Sequence, residues 1–143
     1  MKNFLFILIA LAITTSGCDT STTIKDHSDY NDKLSLVHSY ERSNPILFLE
    51  SDGKYSQNFW GDEFNVECEI TNSSKLTSYK DIVINVVYYS QTNSVIGTES
   101  YTVYDTFRAN SKRTVNLKIK NYKDVSSLGW EVVDATGIFE TFY

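Results

Sequence analysis

The chain has 143 residues, 41% hydrophobic, 14% aromatic and 22% charged, with a formal net charge of −5. That length fits one folded domain around a single core, and that apolar content excludes wholesale disorder. The acidic balance, with no compensating run of Lys or Arg, lacks the electrostatic footprint that phosphate backbones require, so no nucleic-acid partner is expected.

From the N-terminus, Lys2 precedes an unbroken apolar run from Phe4 to Ile13, which Thr14, Thr15 and Ser16 close. A membrane-crossing helix needs about 20 apolar residues, and this run is far shorter, so it reads as the apolar region of a signal peptide. The next stretch, Thr15-Ser16-Gly17-Cys18, resembles the lipobox of bacterial lipoproteins, although Thr15 stands where those usually carry Leu. In that family small residues lead to a cysteine that receives diacylglycerol and becomes the first residue after cleavage. The resemblance implies a lipoprotein signal peptide over residues 1–17 and lipidation, of the palmitate kind, at Cys18. It also implies a lipid bilayer as partner, and a place in the cell envelope, at the periplasmic face or the cell surface. Ordinary signal cleavage is the alternative. Two or three acyl chains hold a protein at a bilayer effectively permanently, whereas one does not.

With Cys18 consumed by lipid, Cys68 has no intramolecular partner and no disulfide is expected. Residues 18–33 are polar and nearly free of apolar side chains, so the lipidated Cys is expected to lead into a flexible tether, with a reach of roughly 20 Å for about 15 residues of coil. Only Asp32 to Glu41 offers helical spacing, through Leu34, Val37 and His38.

Beyond Leu34 the signals are of strand type. Ile46 to Leu49 precedes Asp52-Gly53, a hairpin-turn dipeptide, with a return over Lys54 to Trp60. Phe64 to Thr71 alternates apolar with polar residues and puts Cys68 on the same face as Phe64, Val66 and Ile70, as a small buried hydrophobe. Asp81 to Tyr89 is β-branched and aromatic on both faces and should be central in its sheet. Val95 to Tyr104, Thr114 to Lys120 and Leu128 to Ala135 complete the series, separated by polar turns. About seven short strands without intervening helices predict an all-β chain, an immunoglobulin-like antiparallel two-sheet β-sandwich over residues 34–143.

Glu69-Ile70-Thr71-Asn72-Ser73-Ser74, Tyr79-Lys80-Asp81 with the strand it opens as far as Ser90, Gly97, and the turn Ala109-Asn110-Ser111 resemble the FxLYD-type sandwich domains of bacterial envelope proteins. Ala109-Asn110 replaces the Pro-Gly usual in that turn. The resemblance implies a sandwich fold and a binding or structural module without catalytic residues.

Candidate chemistry is sparse. His27 and His38 are the only histidines, and none of His-x-Glu, Glu-x-x-His or Gly-x-Ser-x-Gly occurs, so neither a metal site nor an enzyme is expected. Asp52 and Asp62 read as turn caps rather than paired catalytic carboxylates. Asp26, Asp29 and Asp32 lack the Gly and terminal Glu of a calcium loop. No cofactor is expected. The excess is aromatic, with ten Tyr, eight Phe and two Trp. Tyr89, Tyr101, Tyr104, Tyr122 and Tyr143 alternate with polar neighbours, and the first three are the candidate ligand-binding residues. The expectation is a membrane-anchored, non-catalytic protein-interaction or envelope scaffold module with an envelope protein as partner. The alternative is a carbohydrate or small-ligand binding module that uses a Tyr-rich sheet face.

Overall fold

The computed structural model describes residues 21–139, with side chains from residue 27 onward. The signal peptide and Cys18 lie outside the described residues. A helix, α1 (Ser21–Ser43), and a short 3-10 turn at Pro45–Leu47 precede six strands: β1 (Leu49–Gln57), β2 (Glu63–Asn72), β3 (Thr77–Tyr89), β4 (Val95–Val103), β5 (Ser111–Lys120) and β6 (Ser127–Phe139). They form two antiparallel three-stranded sheets, β1-β2-β5 and β4-β3-β6. The architecture is the expected all-β sandwich, with β3 central as its composition predicts.

Six strands stand where about seven are expected, because β1 runs straight through Asp52-Gly53, with Gly53 paired to Cys68. Gly53 serves a close approach of backbones rather than a turn, since a Cβ there would lie 2.1 Å from the Glu67 carbonyl oxygen. The chain turns instead at residues 58–62, and Pro45, which cannot donate to a ladder, begins a 3-10 turn where strand was expected.

The core lies between the sheets. Phe64, Val66, Cys68 and Ile70 from β2 meet Ile82, Ile84, Val86 and Tyr88 from β3, closed by Val103, Phe107, Val115, Ile119, Leu128 and Val132. Cys68 is fully enclosed, and burial, with Asp52 nearby, pushes its thiol up to about 11. It is packing, not a nucleophile, at neutral pH.

The segment predicted as a coil tether over residues 18–33 is helical from Ser21, and the helix runs on across the expected domain start at residue 34. Its 23 residues span about 34 Å. It is polar nearly all round, so the helical spacing read over Asp32 to Glu41 marks only its C-terminal half. Only Leu34, His38 and Glu41 turn inward among its described side chains. Glu41 fixes its end to the sandwich. The carboxylate accepts the backbone N–H groups of Lys75 at 2.7 Å and Leu76 at 3.0 Å, and the Glu41 carbonyl accepts the Tyr79 hydroxyl at 2.7 Å. No helix among the described residues is long and apolar enough to cross a membrane.

Candidate functional site

The strand directions divide the connections between two ends of the sandwich. At one end α1 enters, and residues 44–48, 73–76 and 104–110 are laced by Ser73 N–H to Phe48 O and Asn110 N–H to Ser74 O. At the other lie the β1–β2 turn, the β3–β4 turn and the β5–β6 loop, laced by Asn121 N–H to Asp62 O and Ser126 N–H to Tyr89 O.

The β1–β2 turn at that far end carries Phe59 and Trp60, 92% and 83% exposed, the first of them the most exposed large apolar side chain among the described residues. Their rings meet edge to face, with centroids 5.2 Å apart. The backbone beneath them is tightly held. Asn58 Oδ1 accepts the Asp62 N–H at 3.1 Å and the Glu63 N–H at 3.3 Å, while its Nδ2 donates to Asp62 Oδ1 at 2.7 Å. The Gly61 carbonyl accepts Gln57 Nε2 at 3.0 Å and Asn121 Nδ2 at 2.8 Å. Gly61 has a φ of +75°, the left-handed region that glycine enters without strain. Two aromatic rings are thus presented to solvent on a turn whose shape is fixed before anything binds, which keeps the ordering cost of a contact low.

A second constellation lies at the β4 edge. Glu99 shares the core-facing side of β4 with Tyr101, and three phenols converge on its carboxylate. Tyr101 donates at 2.6 Å and Tyr88 at 3.1 Å to Oε2, and Tyr122, from the β5–β6 loop, donates to Oε1. The bonds from Tyr101 and Tyr122 first, then that from Tyr88, with the charge of Lys120 adding least, hold the Glu99 carboxyl below its ordinary range. Burial and the carboxylate raise the phenols of Tyr88 and Tyr101, and the bond to Glu99 raises Tyr122. A charge turned inward on an edge strand also discourages that edge from pairing with another chain.

The sign of each shift sets a pH window. Glu99 is lowered from 4.5 on folding, so its contribution to stability is full above pH 4.5 and is lost as pH falls through its lower folded value. Tyr88 is raised from 10.0, so its contribution is full below pH 10 and is lost as pH rises beyond it. Urea midpoints measured from pH 3 to 11 should therefore fall at both extremes, and Glu99→Gln should flatten the acid limb. An unchanged acid limb in that variant would assign the loss to other carboxylates.

The three tyrosines singled out from sequence are not gathered into one surface. Tyr101 is half-buried in the Glu99 cluster. Tyr89 lies against Gly129, where a Cβ would come within 3.2 Å of its ring. Tyr104 is 83% exposed at the end where α1 enters. His38 packs its ring edge-on against Phe139 at 4.7 Å, and His27 is exposed. Asp52 lies inside β1 and accepts its neighbour's N–H there, so it caps no turn, whereas Asp62 is tied to Asn58 within the β1–β2 turn. Among the described residues no three His, Cys, Asp or Glu side chains gather to hold a metal.

Sequence reasoning missed both Phe59-Trp60 and Glu99. The bracket Asn58-x-x-Gly61-Asp62 is a turn signal that could have placed the first. Nothing local marks the second, because Tyr88, Tyr101 and Tyr122 reach Glu99 from separate segments. The chain matches no family model, no curated protein and no solved structure.

Proposed function

We propose that the chain is a bacterial envelope lipoprotein of the FxLYD-like kind, anchored through acylated Cys18, that serves as a non-catalytic protein-interaction or scaffold module. The rigidly held Phe59–Trp60 pair carries the reading, because it stands exposed at the end of the sandwich opposite the entry of α1. Large aromatic rings on a preformed turn are the usual centre of a protein contact. The protein-contact reading is favoured over a sugar-binding sheet face, because Tyr89, Tyr101 and Tyr104 do not share a surface.

The test places a photocrosslinking amino acid at position 60 of the chain in native membranes, or at position 59 beside it, with position 104, as exposed as position 60, for control. One protein captured in constant ratio from position 60 or 59 and not from position 104 supports the reading. Trp60→Ala, with the probe at 59, should weaken that capture roughly 30-fold, as loss of an interface anchor worth about 2 kcal/mol would. Equal, diffuse adducts from the turn and from position 104 would overturn it. Acylation is read separately, from the mass of the mature N-terminal peptide.

A further inference from the structure

The apolar side chains of α1 mostly face away from the sandwich. Leu34 turns inward with His38 and Glu41, whereas Leu36, 69% exposed, Val37 and Tyr40 stand in solvent. Ile46 and Leu47 are exposed as well and continue the run into the 3-10 turn. Tyr40 is set edge-on against Phe48, with ring centroids 6.1 Å apart, which joins the helix side of this surface to the turn side. Lys33, Leu36, Val37 and Tyr40 are spaced i, i+3, i+4 and i+7, so they share one side of the helix. Five large exposed apolar side chains between residues 36 and 47 make a patch, confined to the second half of α1 and the turn after it, rather than the scattered singles of an ordinary surface.

The first half of the helix poses a separate question. Residues 21–33 read Ser-Thr-Thr-Ile-Lys-Asp-His-Ser-Asp-Tyr-Asn-Asp-Lys, mostly residues that favour caps and turns over helix interiors. From His27 to Lys33 every side chain is exposed, so none of them packs on the sandwich. A free segment of this length and composition is marginal as a helix in water. It is helical nonetheless, and its described side chains find no packing in their own chain that would hold it so. The patch lacks a cover and the first half of α1 lacks a support.

From these two observations we infer that α1 pairs antiparallel with α1 of a second copy of this chain, about a two-fold axis that passes beside Leu36. The occupant follows from reciprocity, because an antiparallel copy lays its own first half along the exposed patch and receives the same in return. Charge sets the direction. A parallel pair would oppose Asp29 to Asp29, Asp32 to Asp32 and Lys33 to Lys33, each a repulsion. With the axis between residues 36 and 37, Leu36 meets Val37 of the second copy, Asp29 meets Asn44, and Lys33 comes over the Tyr40 ring as a cation–π contact. No like charges face each other among these pairs. One helix side per copy is at the low end of specific interfaces, which corresponds to a dissociation constant of roughly micromolar order. The pairing lies at the end of the sandwich opposite Phe59 and Trp60 and does not depend on the reading built on them.

Two measurements on the whole chain test the pairing. The first is oxidative crosslinking in native membranes, with the unsubstituted chain as blank. Leu36→Cys, beside the axis, should give a covalent homodimer. Lys33→Cys alone should not, whereas a mixture of Lys33→Cys and Tyr40→Cys chains should. A homodimer from Lys33→Cys alone would mean a parallel pair and overturn the inference, as would no homodimer from Leu36→Cys. The second is hydrogen exchange of the purified chain across a dilution series that spans the micromolar range. Protection of residues 21–33 should fall on dilution together with the dimer mass in sedimentation, while the β3 amides keep theirs. Leu36→Asp should weaken the dimer at least about tenfold, since both copies lose the contact, and Leu36→Ser serves if the aspartate variant does not fold. Protection of residues 21–33 that is indifferent to dilution and to Leu36→Asp would overturn the pairing. Protection that appears only with phospholipid vesicles, in chains that sediment as monomers, would give the patch to a bilayer and overturn it equally.

Discussion

Replacing Asn72 should cost more stability than any other single polar substitution, about 3 kcal/mol for Asn72→Ala and more for Asn72→Asp. Asn72 is 1% exposed at the end of β2, where the chain leaves one sheet for the other. Its Nδ2 donates to the carbonyls of Thr77 at 2.9 Å, Phe107 at 3.0 Å and Arg108 at 2.9 Å, and its Oδ1 accepts the Ser74 N–H at 3.0 Å. One amide thereby joins the β2–β3 corner to the segment between β4 and β5. The three carbonyls each keep another donor, from Ser74 Oγ, Tyr79 N–H and Ser111 Oγ respectively. Truncation therefore leaves one orphaned buried donor, the Ser74 N–H, and an amide-sized void. Aspartate keeps the volume but turns a carboxylate oxygen toward carbonyl oxygens, which is why it should be the worse of two nearly isosteric changes. A domain of this size holds about 5–15 kcal/mol in total. Urea midpoints should fall in the order native, Asn72→Ala, Asn72→Asp with unchanged slope. Equal midpoints for native and Asp would mean that the corner is wet and the amide unimportant.

The same corner explains why much of the fold is legible in the sequence. Asn72-Ser73-Ser74 and Tyr79 are turn and strand-end residues whose side chains satisfy backbone groups of the corner and of Glu41. Asp81, with a φ of +51°, sits at the register shift where β3 passes from the corner into its regular pairing with β6. Strand faces were legible for the same reason, since Phe64, Val66, Cys68 and Ile70 must all point one way in a period of two. What was not legible depends on long-range geometry. Helix α1 has no apolar stripe of its own, and its docking rests on Glu41 meeting two backbone N–H groups more than thirty residues away. The Glu99 cluster is assembled from β3, β4 and the β5–β6 loop, and alternation along β4 cannot tell an inward carboxylate from an outward one. The aromatic turn was misplaced because Asp52-Gly53 is the stronger turn dipeptide in isolation, and only the neighbouring strand decides that its glycine is needed for backbone contact.

Two glycine substitutions test that last distinction and should have opposite outcomes. Gly53→Ala places a methyl group 2.1 Å from Glu67 O and 3.1 Å from Cys68 Cα. Both are backbone atoms of the central strand of their sheet, so neither can rotate away as a side chain would. The clash can be relieved only if β1 lifts from β2, at a cost at or above the upper end of ordinary overpacking, about 3 kcal/mol. β1 is an edge strand, so the loss should be local before it is global. Hydrogen exchange should lose protection at the β1–β2 pairs around Gly53↔Cys68 while the pairs of β3 with β4 and β6 keep theirs. Gly97→Ala, by contrast, adds its methyl group to open space in another edge strand. It removes chain entropy from the unfolded state, and its midpoint should lie within about 0.5 kcal/mol of the native one or slightly above it. If Gly53→Ala were as mild, β1 would not be held against β2 as described, and the turn at residues 58–62 that presents Phe59 and Trp60 would lose one of its two supporting strands.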